Sequence, residues 1–184
     1  QLENPPYGSR LAVPLGAALR YHTTSGTTGK PRVKAFDSER DWIWGGDAWA
    51  SSLYNFGVRP SDVVMVAFGY GSFVGFWGAH YGFEKIGCRV HPTGGMDTKT
   101  RIHMILDLGI TILCCTPSYA LRILHVAKEE GVDLAARSRL SMIVVAGEPG
   151  ASIASTRDLI EKGFNAHLGD FMGTTETAGM TASS

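Results

Sequence analysis

The stretch TILCCTPSYALRILHVAKEEG, residues 111–131, contains a complete strand–helix unit. TILCCT is short, apolar and free of charge, the pattern of a strand buried on both faces in a parallel sheet. Pro117 then stands where a helix begins. Its fixed φ suits the first helical position, and the N–H it lacks has no intrahelical partner there. PSYALRILHVAKEE has helix length, and Gly131 is placed just beyond its end as a stop. A strand that runs straight into such a helix predicts a crossover to a further parallel strand.

Outward from that unit the same alternation repeats. DVVMVAF (62–68) reads as a buried strand, and SFVGFWGAHYGFEKIG (72–87) as a helix whose small residues permit close packing. CRVHP (88–92) reads as a strand, and DTKTRIHMILDLG (97–109) as a helix with Asp97 or Thr98 as N-cap and Gly109 as its stop. On the far side follow a strand in SMIVVAG (141–147), a helix in ASIASTRDLIEKG (151–163) and a last strand in FNAHLGDF (164–171). A lead containing Pro and Gly (4–16) precedes them, and neither an internal repeat nor a low-complexity linker interrupts them. The expected fold is α/β, a largely parallel sheet flanked by helices, forming one unit over residues 1–184. In such sheets ligands bind in the loops beyond the strand ends. Three loops qualify: GYGS (69–72), GEPG (147–150) and the run after Phe171.

Composition excludes several classes. Hydrophobic residues make up 44% and charged residues 18%, which suits a globular chain with a core. Lys plus Arg equals Asp plus Glu at 17 each, so no basic excess draws nucleic acid and no charge run suggests a tail. Cys88, Cys114 and Cys115 lie in apolar segments, as expected of buried thiols rather than a disulfide framework or zinc site. The most apolar region, 63–90, is broken by Glu84, Lys85 and several glycines, so a membrane span is rejected. With no signal peptide visible, the expected location is the cytoplasm. The chain opens on Gln1 and stops at TASS, and both ends look cut.

TTSGTTGKP (23–31) has the chemistry of an anion cradle. Glycines let backbone N–H groups converge, Ser25, Thr27 and Thr28 add hydroxyl donors, and Lys30 adds a point charge. The same composition also suits a polar hairpin loop. It is not a Walker loop: only two residues separate Gly26 from Gly29, and Pro31 removes an N–H where such loops use one. GEPG reads either as a functional turn or as a turn with a solvated glutamate. In GDFMGTTETAG (169–179) a lone carboxylate, Glu176, stands beside Thr174 and Thr175. That suits a Mg²⁺ shared with substrate phosphates, or a surface loop.

TSGTTGKP followed far downstream by MGTTE (172–176) resembles the paired signatures of the adenylate-forming enzymes: acyl-CoA synthetases, luciferases and peptide-synthetase adenylation domains. YHTTSGTTGKPRV, GYGSFVGFWGAHYGFEKIG, TPSYAL, the GEP turn and GDFMGTTE, in that order, are similar to the phenylacetate–CoA ligase branch over nearly the whole chain. The resemblance implies the large N-terminal domain of a ligase that uses ATP, Mg²⁺ and coenzyme A. A carboxylic acid, an aryl acid by preference, would attack ATP to give an acyl adenylate. Coenzyme A would then displace AMP.

By the same resemblance Ser25, Gly26, Thr27, Thr28, Gly29 and Lys30 would hold the β- and γ-phosphates. Gly147, Glu148 and Pro149 would line the adenine site, together with Asp170, Met172 and Gly173. Thr175 would contact the α-phosphate and Glu176 would hold Mg²⁺. Phe68, Phe73 and Ala146 would wall the acid pocket, with His80 and Tyr81 near the carboxylate. Met172 departs from the family, in which a tyrosine commonly stacks on adenine; a thioether can still pack on a purine face. The ribose-binding aspartate and the C-terminal lid with its catalytic lysine lie downstream in the family and are absent from this chain. It therefore reads as a fragment, inactive alone. Alternatives are a transferase of the same branch with a deazaflavin coenzyme as acceptor, or a non-catalytic nucleotide-binding module. No membrane or nucleic-acid partner is expected, and a homodimer is common among relatives.

Overall fold

The computed structural model describes residues 7, 11–24, 32–174 and 180–183. An antiparallel hairpin, β1 (Ala18–Thr23) and β2 (Lys34–Ser38), leads into α1 (Glu39–Asn55). The alternating part follows: β3 (Val63–Val66), α2 (Val74–Ile86), β4 (Arg89–Pro92), α3 (Thr98–Asp107), β5 (Ile112–Cys115) and α4 (Pro117–Glu129). It continues through the short α5 (Leu134–Arg137), β6 (Met142–Ala146), α6 (Ala154–Phe164), β7 (His167–Gly173) and β8 (Met180–Ser183). Every strand and helix expected between residues 62 and 171 is present.

Among the described residues the main sheet has the order β4-β3-β5-β6-β7-β8. The strands from β4 to β7 are parallel, and β8 runs antiparallel to β7. The chain moves from β3 to β4 in one direction and then returns past β3 to β5, so the strand order reverses there. Right-handed crossovers then place α2 on one face and α3, α4 and α6 on the other. The packing agrees: α1 lies on α2, while α3 touches α4, and α6 touches both α4 and α5.

The inner strands are the centre of the core. All residues of β3 and β5 are buried, as are Ile143, Val144 and Val145 of β6. A fully buried aliphatic side chain of this kind stabilises the fold by about 1.5–3 kcal/mol. The three cysteines are free and buried within this core. Local start and stop signals act as their chemistry dictates. Asp97 caps α3 by accepting from the Thr100 N–H, Thr116 caps α4 by accepting from the Tyr119 N–H, and Pro117 occupies the first turn.

Three features depart from the sequence reading. The helix α1 was not expected, because Gly45 and Gly46 break its pattern. It is nucleated by a capping box in which the Ser38 hydroxyl accepts from the Asp41 N–H and the Asp41 carboxylate accepts from the Ser38 N–H. It is held by α2, where Gly78 and Gly82 leave a groove for Trp49. The helix α6 begins at Ala154, after a turn over residues 151–153. The strand in FNAHLGDF is not the last, since β8 pairs with it from Asp170 to Gly173.

Candidate functional site

The open end of the hairpin stem is fastened to a strand end of the main sheet. Thr23, paired with Lys34 at the end of β1, donates its N–H to the Ser72 carbonyl at 2.8 Å, and its hydroxyl lies 2.6 Å from that of Ser72. Ser72 belongs to the GYGS loop beyond β3, so the hairpin is fastened to a strand end. The Thr24 N–H donates to the Val33 carbonyl and the Val33 N–H to the Thr24 hydroxyl, each at 3.1 Å. These bonds close the stem. The loop it carries, with Ser25, Gly26, Thr27, Thr28, Gly29 and Lys30, lies outside the described residues, as do Thr175 and Glu176.

Next to this stem, beyond the C-terminal ends of β6 and β7, is a cavity of about 90 Å³. Phe73, Phe76 and Tyr81 come to it from α2 and its lead, Ala146 and Gly147 from β6 and the turn after it, and Phe171, Met172 and Gly173 from β7. Trp42, Gly45, Gly46 and Trp49 of α1 close another side. Asp37, Asp41 and Thr174 supply polar groups at its margin. The lining is thus mostly apolar with a few polar groups, the pattern of a small-molecule site. It suits a ligand with an apolar tail and a polar head.

Of the residues named from the sequence, the cavity gathers Phe73, Tyr81, Ala146, Gly147, Met172 and Gly173. Gly147 has φ of 94°, a backbone conformation that favours glycine, which lets the chain turn sharply at the strand end. Met172 is 70% exposed. The other described residues named from the sequence do not line the cavity. Phe68 is buried and stacks on Phe76. His80 is held by the Tyr70 hydroxyl at Nδ1, 2.9 Å, and by the Glu84 carboxylate at Nε2, 3.1 Å. Pro149 is exposed in the turn.

Two carboxylates show what their surroundings do. Burial works to raise the Glu148 carboxyl, but hydrogen bonds from the side chain and N–H of Ser118 and from Thr116 outweigh it and hold the group below its ordinary range. Asp170 in β7 is pushed up by burial, against the pull of Arg157 and of the Phe171 N–H. Among the described residues no group of three or more His, Cys, Asp or Glu could hold a metal ion. No helix among them is long and apolar enough to cross a membrane.

The contribution of α1 to the cavity escaped the sequence reading. The signal that could have found it is Ser38-x-x-Asp41, a helix start, followed by Trp42, Trp49 and Leu53 at helical spacing.

Residues 18–184 match the family model described as AMP-binding enzyme. Phenylacetate-coenzyme A ligase of Aromatoleum evansii is 41% identical over 131 residues, covering 71% of this chain and 29% of that protein. The Escherichia coli (strain K12) protein of the same name is 33% identical over 177 residues, 96% of this chain and 40% of its own length. A crystal structure of 2-hydroxyisobutyryl-CoA ligase in the postadenylation state, in complex with R3-HIB-AMP, superposes with a TM-score of 0.88 at 28% identity. It covers 97% of this chain and 37% of that one. A benzoate CoA ligase from Burkholderia xenovorans LB400 shares the fold at a TM-score of 0.67 and 14% identity. The chain spans well under half the length of these relatives.

Proposed function

The chain belongs to the AMP-binding enzyme family, and from that premise we propose that it is part of an ATP-dependent acid–thiol ligase. The activity would convert a carboxylic acid and ATP to an acyl adenylate and pyrophosphate, and then pass the acyl group to coenzyme A. The observation that carries this reading is that Phe73 and Tyr81, Ala146 and Gly147, and Met172 and Gly173, named from three separate stretches of the sequence, line one mostly apolar cavity beyond the strand ends.

Each part then has a task. Ser25 to Lys30, on the loop that the Thr23–Ser72 contact anchors, would hold the phosphates that leave. Gly147 and Pro149, with Met172 and Gly173, would flank the adenine. The Glu148 side chain is engaged at Ser118, so its contribution at the turn is to fix the backbone. Thr175 would contact the α-phosphate. Glu176 would hold Mg²⁺, and a bound Mg²⁺ would neutralise charge developing on the phosphates. Donors aimed at that charge before reaction are worth more in a water-poor site than in solution. Phe73 and Ala146 would face the acid, with Tyr81 beside them.

The curated relatives carry phenylacetate in their names, and the 2-hydroxyisobutyryl-CoA ligase structure holds the adenylate R3-HIB-AMP. The acid is therefore the variable of the decisive assay. Pyrophosphate release by the full-length protein is measured over a panel of carboxylic acids, with and without coenzyme A. Acid-dependent release with thioester formation is expected, and release with no acid dependence would sink the ligase reading. Release without any thioester would favour another acceptor, such as a deazaflavin coenzyme. A reaction using ATP and coenzyme A fits a cytoplasmic location, and a homodimer is the assembly to look for by light scattering.

A further inference from the structure

The GYGS loop after β3 is gripped at Tyr70, Gly71 and Ser72 in turn. The Tyr70 hydroxyl meets His80 Nδ1 at 2.9 Å, and the Trp77 Nε1–H donates to the Gly71 carbonyl at 2.8 Å. Ser72 is bound to Thr23 through both its carbonyl and its hydroxyl. Trp77 and His80 are three residues apart on α2, which makes them neighbours on one face of the helix. The Tyr70 ring packs edge-on against both, with centroids 5.0 Å from Trp77 and 5.6 Å from His80. One face of α2 thus holds the loop, and the loop holds the end of β1.

The protons along this chain have one arrangement. The Glu84 carboxylate, 3.1 Å from His80 Nε2, can only accept, so Nε2 carries the ring proton. Nδ1 of the neutral ring is then an acceptor, and the Tyr70 O–H donates to it. Burial pushes the Tyr70 hydroxyl well above its ordinary range, which keeps that proton in place. The His80 side chain is only 14% exposed, and Tyr70 and Glu84 take both of its ring nitrogens. We infer that His80 is a positioning residue for ATP rather than a contact of the acid: through Tyr70 it fixes the GYGS loop, and through Ser72 and Thr23 the stem that carries TTSGTTGKP. The inference rests on the adenylation reading, which gives that loop the phosphates, and adds to it the residue that sets the stem. A misplacement of about 1 Å can cost on the order of a hundredfold in rate even when its cause lies far from the chemistry.

The test uses the full-length protein and reads ATP and acid separately. Binding of ATP with Mg²⁺ is titrated without acid, and pyrophosphate release gives KM for ATP and for the fastest acid of the panel. His80→Gln keeps a donor for Glu84 but loses the acceptor for Tyr70. It is expected to weaken ATP binding and raise KM for ATP on the order of tenfold, with KM for the acid within about twofold of the parent. His80→Asn puts a carbonyl oxygen as many bonds from the backbone as Nδ1, and is expected to stay within about twofold of the parent on ATP. Tyr70→Phe, whose ring still packs on Trp77, guards against a folding failure; it is expected to match His80→Gln, and the double variant to be no worse than either. An effect confined to KM for the acid overturns the inference and leaves the ligase reading standing. So does a folded His80→Gln variant with parental ATP binding. A parent that binds ATP but releases no pyrophosphate with any acid removes the ligase reading, and the ATP titration still decides the inference; a parent that does not bind ATP overturns both.

Discussion

The N–H of Ser118 donates to the Glu148 carboxylate at 2.7 Å, joining the turn after β6 to the first turn of α4. A carboxylate there satisfies a donor that the helix leaves open and lies at the positive end of its dipole. Glu148→Ala is therefore expected to destabilise the protein by about 0.5–1 kcal/mol at neutral pH, read as a lower urea midpoint. The exposure of the group keeps the effect small.

The same bond gives a pH dependence. Burial alone would raise the Glu148 carboxyl, and the Ser118 and Thr116 donors more than reverse it, so its folded value lies below its unfolded one. A depressed carboxyl contributes stability above its unfolded pKa and loses it as the pH falls through the folded value. The gap between parent and Glu148→Ala midpoints should thus shrink on acidification through and below the ordinary glutamate range. A gap that widens would contradict this.

At Gly82 the helices α1 and α2 approach with no room to yield. A Cβ there would stand 2.6 Å from Trp49 Cβ and 3.2 Å from the Ala50 backbone nitrogen. Neither atom is the end of a flexible chain, so the helices must part. Gly82→Ala is expected to cost about 1–3 kcal/mol, despite the better helix propensity of alanine, with the urea m-value unchanged.

Arg101 is buried in α3 and has no carboxylate partner among the described residues. Its Nη2 donates to the Thr93 carbonyl at 2.6 Å, its Nε to the Thr93 hydroxyl at 3.1 Å, and its Nη1 to the Tyr119 hydroxyl. The planar fork ties the strand end after β4 to α4. Arg101→Met is expected to cost on the order of 2 kcal/mol by removing the charged donors to these buried oxygens, each of which keeps one other partner. Arg101→Lys should recover less than half, because a point charge cannot reproduce the fork. Full recovery in thermal unfolding would show that charge alone matters.

In the full-length protein, Glu176→Gln is expected to lower Mg²⁺-dependent adenylation on the order of a hundredfold while the unfolding midpoint stays within about 0.5 kcal/mol of the parent. Near-normal pyrophosphate release would remove Glu176 from the metal role.

Local chemistry made much of the fold legible. TILCCT followed by Pro117 reads as strand then helix because burial pattern, ring constraint and capping agree at neighbouring residues, and β5 and α4 follow it closely. The helix α1 was hidden because Gly45 and Gly46 lower its propensity; contacts with α2 supply what the sequence withholds. Ser38 and Asp41 did mark its start.

The sequence by itself determined the order of strands and helices between residues 62 and 171 and the Gly147 turn, since these rest on interactions within a few residues. Only the tertiary structure decided that Phe76 lies between Phe68 and Gly147, that His80 turns to Tyr70 and Glu84, and that α1 walls the cavity. Those outcomes depend on which strand pairs with which and on which helix faces meet. They are fixed by burial shared among distant segments, and no short stretch of chain carries that information.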